Sequence, residues 1–286
     1  MCADWSPPEF DTGTPHSARI YDWWAGGKDN FPVDREAAQR VAEARPGVLA
    51  TVRENRAFLR RGVDAMAREH GIRQFLDIGT GLPSPGSTHE IAQAVDPSSR
   101  VLYVDNDPMV LAHARARLTD LGDRTVGYLD ADLRSPESIL ASAELKAALD
   151  LDRPVALMLL AILHFVPDDD EARGIVRRLM DALAPGSMLM ISLWAEDRPP
   201  AEQVEATERY ADTGIPVRMR TPAECAGFFE GLEPLDPGLV PVSQWRRTAA
   251  DGAAPSLADV ALYGGVARKP GGPKAGRAAA AQDAEK

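Results

Sequence analysis

The chain has 286 residues, 44% of them hydrophobic and 26% charged, the composition of a globular protein with a sizeable core. Its net charge of −11 disfavours long nucleic acid as a partner, because neutralising phosphates drives that binding. No apolar run approaches the roughly 20 residues that span a bilayer.

The opening Met-Cys-Ala-Asp-Trp-Ser-Pro-Pro lacks the basic and then apolar pattern of a secretory signal. The two cysteines, Cys2 and Cys225, suit a reducing cytoplasm. The pairs Arg60-Arg61, Arg177-Arg178 and Arg246-Arg247 are scattered and read as solvated helix faces rather than a basic groove.

Residues 1–14 read as a lead-in, although Trp5, Trp23 and Trp24 give this end more aromatic side chains than a disordered tail carries. A short helix is predicted from about Ser17 to Ala25, broken by Gly26-Gly27. Asp34 is placed to cap a second helix through Val41. Pro46 fits the first turn of a third that runs to about His70 and stops at Gly71. Residues 1–71 are therefore expected to form an N-terminal helical extension.

From there strands and helices alternate. Strands are predicted at Arg73–Ile78, Arg100–Asp105, Thr125–Asp130, Val155–Leu160 and Met188–Trp194, with helices at Ser87–Val95, Pro108–Leu121, Ser135–Leu149 and Asp168–Leu183. This is the pattern of βαβ units, a parallel sheet and a doubly wound, Rossmann-like α/β fold. Ala156-Leu-Met-Leu-Leu160 is apolar on both faces, as a central strand should be. Two further helices, about Pro200–Thr213 and Pro222–Phe229, precede a final antiparallel pair, Glu233–Val242 and Asp259–Ala267. The main domain spans 72–269, and the Gly-, Ala-, Pro- and charge-rich stretch 270–286 reads as a disordered tail.

The organising stretch is Phe75-Leu-Asp-Ile-Gly-Thr-Gly-Leu-Pro-Ser-Pro-Gly-Ser-Thr-His-Glu90. It reads as strand, glycine turn and helix start, with Ser87 and Glu90 at capping-box spacing. Such a turn is expected to aim its backbone N–H groups at a ligand above the strand end. A dinucleotide fingerprint needs a third glycine where Ser84 stands. Asp77 would repel a pyrophosphate but would hold a positively charged amino group. Those features suit S-adenosylmethionine, which has an α-amino group and a sulfonium but no phosphate.

In an open α/β sheet the ligand lies beyond the carboxyl ends of the strands. Asp105, followed by Asn106, is placed to accept from ribose hydroxyls, while Asp107 caps the next helix ahead of Pro108. Asp132 is preferred to Asp130 for the adenine amino group, with Leu133 as the apolar neighbour. Ala161 and His164 end the fourth strand near the reacting centre. His164 is the first candidate for a general base, beside a reading in which it only packs. Asp34 and Tyr21 are weaker base candidates. His16, His70, His89 and His113 show no metal-ligand spacing, and no metal is expected.

Taken in order, Asp77-Ile-Gly-Thr-Gly81, Val104-Asp-Asn-Asp107, Asp130-Ala-Asp-Leu133 and Leu163-His164 resemble class I S-adenosylmethionine-dependent methyltransferases. With Ala18-Arg-Ile-Tyr-Asp22, Gly26-Gly-Lys-Asp-Asn-Phe31, His164-Phe-Val-Pro167 and Tyr263-Gly-Gly-Val266, the chain is similar from about Thr14 to Pro270 to a family named S-adenosyl methyltransferase. That resemblance implies a seven-stranded sheet with its last strand antiparallel, a cofactor at Asp77, Gly79, Thr80, Gly81, Asp105, Asn106, Asp132, Leu133 and Ala161, and no known acceptor. The Gly26-Gly27 hinge reads either as a lid, which would bring Tyr21, Lys28 and Asn30 to the cofactor, or as a docking turn.

The first hypothesis is an enzyme that methylates a small molecule. The second is a non-catalytic S-adenosylmethionine-binding regulator. A nicotinamide-dependent oxidoreductase is disfavoured by Ser84 and Asp77. The oligomeric state is not legible.

Overall fold

The computed structural model describes residues 10–113, 125–195, 210–256 and 259–271. One mixed sheet organises it, in the order β3-β2-β1-β4-β5-β8-β6, with β7 also paired to β8. Its strands are β1 Gln74–Ile78, β2 Arg100–Asp105, β3 Val126–Asp130, β4 Ala156–Leu160, β5 Met188–Trp194, β6 Glu233–Pro234, β7 Val240–Pro241 and β8 Leu262–Arg268. The first five are parallel, and β8 runs antiparallel to β5 from Met188↔Arg268 to Trp194↔Leu262. The sheet thus has eight strands rather than seven. The stretch expected as one strand, Glu233–Val242, contributes two short ones, both antiparallel to β8.

Successive strand residues point to opposite faces, and the core divides accordingly. Phe75, Ala156, Met158, Met188, Met190 and Trp194 pack on one side. Leu76, Ile78, Leu157, Leu159, Leu189, Ile191 and Leu193 pack on the other. The same alternation puts Asp77 and Ser192 on the first face. Three N-terminal helices, α1 Ser17–Trp24, α2 Pro32–Ala44 and α3 Val48–Arg68, cover that face together with α4 Thr88–Val95. Helix α3 approaches closely because residue 62 is glycine: a Cβ there would collide with Met190 of β5. The other face is covered chiefly by the helix Asp169–Asp181.

Several boundaries differ from the sequence reading. Asp34 is not the cap of α2 but its third residue, and it accepts from the N–H of Phe31 at 2.8 Å and of His16 at 2.9 Å. The expected helix Ser135–Leu149 is two, Pro136–Ala141 and Ala143–Ala148. Ser142 ends the first by donating to Ile139 O and caps the second by accepting from Leu145 N. The segment 222–229 is a short α-helix followed by a 3-10 turn. Of the predicted helix Pro108–Leu121, residues 114–121 lie outside the described residues, as do 200–209 of Pro200–Thr213 and the tail from 272.

Candidate active site

A cavity of about 280 Å³ opens beyond the carboxyl ends of β1–β5 and reaches up to α1 and α3. Most of the predicted site residues meet there: Asp77, Gly79, Thr80, Gly81, Asp105, Asn106, Asp132, Leu133, Ala161, His164 and Tyr21 all line it. Lys28 and Asn30 do not. Lys28 is exposed, and the Asn30 side chain is turned to Asp22 Oδ2 at 2.7 Å. Asp22 also accepts from Asp29 N, so the Gly26–Phe31 loop is a turn built around one carboxylate.

The glycine turn is held differently from the expectation. Gly79 N–H donates to Val104 O at 2.8 Å, Thr80 N–H to the same oxygen at 3.4 Å, and Gly81 N–H to Asp105 Oδ2 at 2.8 Å. These donors are committed to the end of β2 and do not face a ligand. Gly79 and Gly81 are glycine because both backbones are left-handed, at φ 74° and 65°, and a Cβ on Gly79 would strike Ile162. A turn with its N–H groups spent is no phosphate cradle, and this agrees with the missing third glycine.

What lines the cavity in its place is acid. Asp77 is buried in β1, and its Oδ2 accepts from the Thr88 hydroxyl at 2.7 Å. Burial outweighs that bond and raises its pKa to about 6. A buried carboxylate beside open volume, short of counter-charge, fits an incoming ammonium. Asp105 is also buried and its pKa is raised by burial, against donors from Asp107 N and Gly81 N. Each of its oxygens keeps a lone pair for hydroxyl groups. Asp132 is pinned by Arg134 Nη2 at 2.7 Å and Asn106 Nδ2 at 3.3 Å, and Arg134 holds its carboxyl below the usual carboxylate range. Asp130 is exposed and off the cavity. Asp107 caps the next turn through Met109 N and pairs with His16 Nδ1 at 3.0 Å, which ties the start of α1 to β2.

His164 lies in the 3-10 turn Leu163–Phe165 after β4. Its ring is buried, stacks on Trp194 at 5.0 Å and 14°, and is held neutral by burial and then by Arg220, with a pKa of about 3. Its Nδ1 faces the Trp194 N–H at 3.5 Å, which leaves the ring proton on Nε2.

The family model described as S-adenosyl methyltransferase matches residues 3–270. The chain belongs to the S-adenosyl methyltransferase family. Its cofactor is S-adenosylmethionine, and it is a methyltransferase. A duf574 family protein from Streptomyces avermitilis MA-4680 is 48% identical, with a TM-score of 0.86 over 91% of this chain and 99% of that one. A protein from Thermobifida fusca YX described as a candidate methyltransferase is 39% identical, with a TM-score of 0.85 over 94% of this chain and 100% of that one. An O-methyltransferase family protein from Burkholderia thailandensis is 18% identical with a TM-score of 0.52, over 91% of this chain and 65% of that one, and shares the fold. A search of curated proteins found no match.

The methyltransferase also relies on residues that the sequence did not mark. Arg220 is fully buried and donates to Asp169, Leu163 O and Val166 O at 2.9, 3.0 and 2.8 Å, so it fixes the turn that carries His164. Thr88, Asn55, Ser192 and Tyr210 are equally silent in sequence. Thr88 lies 11 positions from its partner Asp77 and Asn55 lies 137 from Ser192, and no local signal marks either pairing. Among the described residues no group of acids, histidines or cysteines could hold a metal ion. Among them, too, no helix is long and apolar enough to cross a membrane.

Proposed function

We propose that this methyltransferase modifies a small molecule held in the same cavity as its cofactor. The observation that carries this reading is the shape of the cavity, which runs from the acids at the strand ends to an aromatic recess under α1 and α3. The acid end fits the cofactor: Asp77 for the α-amino group, Asp105 with Asn106 for the ribose hydroxyls, and Asp132 with Leu133 for the adenine. When bound, S-adenosylmethionine supplies a methyl group already activated by its sulfonium.

What the chain adds is alignment and exclusion of water. Holding two reactants in line can be worth roughly 7 kcal/mol or more. Ala161, at a left-handed φ of 53°, bends the end of β4 into the cavity between the two halves. His164 serves in this reading as a neutral wall and hydrogen-bond donor rather than as a base, because its Nδ1 lone pair is taken and its proton sits on Nε2. A net charge of −11 supports a small acceptor over nucleic acid. A cytoplasmic location belongs to the same reading and is supported by Cys225, a buried free thiol pushed up to about 12 by burial.

The test is release of S-adenosylhomocysteine from a panel of small molecules, with duplex DNA and a protein mixture as comparators. Turnover with small molecules supports the proposal. Turnover confined to a macromolecule overturns it.

A further inference from the structure

The recess beyond the cofactor end differs sharply in chemistry from the strand ends. The fixed charges that line the cavity stand on β1, β2, the loop after β3, and Arg56 of α3, whose guanidinium turns to Pro85 O and Gly86 O. The recess itself is walled by Tyr21, Trp24, Asn55, Phe165, Tyr210 and Ile215, with no charged side chain among them. Tyr210 is its centre, with ring centroids 5.1 Å from Trp194, 5.9 Å from Phe165 and 6.3 Å from Trp24. Flat aromatic walls favour a flat guest, and with no charged side chain among them they leave an anion that loses its hydration without a partner.

The polar atoms of the recess can be assigned one by one. Ala161 N–H is shared between Ser192 O at 2.8 Å and Ser192 Oγ at 3.0 Å, so the Ser192 proton points elsewhere. The atom that takes it is Asn55 Oδ1 at 2.7 Å. Reversing the Asn55 amide would leave a buried serine proton with no acceptor, so the orientation is fixed by bookkeeping of donors. Asn55 Nδ2–H therefore faces Tyr21 Oη at 3.0 Å, and the tyrosine accepts. The O–H of Tyr21 is then turned away from Asn55. The Tyr210 hydroxyl has no hydrogen bond among the described residues, and only burial acts on it. Thr51 is not available, because it donates to Asp259 O and accepts from Ala261 N. The recess thus presents two phenolic hydroxyls free to donate, and Tyr210 Oη can also accept.

We infer that the methyl acceptor is a planar molecule without negative charge that bears an oxygen with free lone pairs, lies against Tyr210 and accepts hydrogen bonds from Tyr21 and Tyr210. This rests on the reading that cofactor and acceptor share the cavity. A site built around buried donors discriminates strongly against a guest that cannot satisfy them.

The test uses the full chain saturated with S-adenosylhomocysteine and a matched naphthalene series in calorimetry: 2-acetylnaphthalene, 2-ethylnaphthalene and 2-naphthoate. The ketone should bind roughly threefold or more tighter than the hydrocarbon and about tenfold or more tighter than the carboxylate. Tyr21→Phe and Tyr210→Phe should each erode the advantage of the ketone over the hydrocarbon, with S-adenosylhomocysteine affinity held within about twofold. Equal or tighter binding of the carboxylate, or no binding of any probe, overturns the inference. So does a Tyr21→Phe variant that loses S-adenosylhomocysteine affinity but keeps the ketone preference, since Tyr21 would then belong to the cofactor. Failure of the wild type to bind S-adenosylhomocysteine is a separate outcome, and it removes the shared-cavity reading along with this one.

Discussion

The Thr88 hydroxyl donates to Asp77 Oδ2 across 2.7 Å, and this bond only partly offsets the burial of a carboxylate that ends a central strand. With its pKa raised from 3.8 to about 6, folded Asp77 holds a proton that the unfolded chain has lost between those values. Stability therefore falls as pH rises through that window, and the cost is complete above about pH 6. A shift of that size corresponds to something on the order of 3 kcal/mol. Asp77→Asn should raise the melting temperature of the cofactor-free protein at pH 8, with the gain vanishing near pH 4, and should weaken S-adenosylhomocysteine binding by about tenfold or more. Melting curves of wild type and variant across that range check the first part, and calorimetry checks the second. A variant less stable than wild type at pH 8 would mean that the charge of Asp77 supports the fold.

Cofactor binding should itself depend on pH. An ammonium against Asp77 favours the carboxylate and pulls its pKa back down, so binding below pH 6 releases a proton. Affinity should fall as pH drops below 6, by up to about tenfold per unit. Calorimetry at pH 5.5 in two buffers of different ionisation heat should show proton release, and at pH 7.5 almost none. Equal proton release at both values would remove Asp77 from the ammonium site.

Asp105 has two duties, to hold Gly81 N–H and Asp107 N–H and to receive the ribose. Asp105→Ala should lower cofactor affinity by roughly 1.5–3 kcal/mol, about 10- to 150-fold. Wild-type affinity in this variant, measured by titration, would end the ribose assignment.

His164 should not titrate in the neutral range. In NMR spectra of histidine-labelled protein, its ring signals should stay constant from pH 5 to pH 8, since burial holds its pKa at about 3. A midpoint between 6 and 7 would restore it as a candidate base.

Arg220→Met should destabilise the protein by roughly 1–3 kcal/mol, because it removes the donor of two loop carbonyls, while Asp169 keeps Arg218 at 2.7 Å. Chemical denaturation measures this, and a change below about 1 kcal/mol would show that the turn carrying His164 holds itself.

Much of this architecture was legible in the sequence because it rests on local signals. Phe75–Ile78, apolar but for Asp77, and the apolar Ala156–Leu160 are short runs bounded by turns, and both are central strands. Gly79 and Gly81 mark a turn that needs left-handed backbone. Asp77, Asp105 and Asp132 stand at strand ends and reach the cavity. Where the reading failed, the deciding partner was distant or one residue away. Glu90 has capping-box spacing to Ser87, yet it accepts from Gly86 N–H at 2.7 Å, one residue earlier. The N–H groups of the glycine turn were expected to face a ligand, but Val104 and Asp105 of the neighbouring strand take them. Lys28 and Asn30 sit in a motif that the family resemblance emphasises, yet Asp22 folds that motif onto itself. Asn55 and Ser192 are 137 positions apart, and no spacing rule connects them.

The most direct test of the central claim is calorimetric titration of the full chain with S-adenosylmethionine, S-adenosylhomocysteine and NAD, each against wild type and Asp77→Asn. The account predicts that the first two bind wild type, that both weaken in the variant, and that NAD binds neither. Binding of NAD in place of the other two, or S-adenosylmethionine affinity indifferent to Asp77, would contradict it.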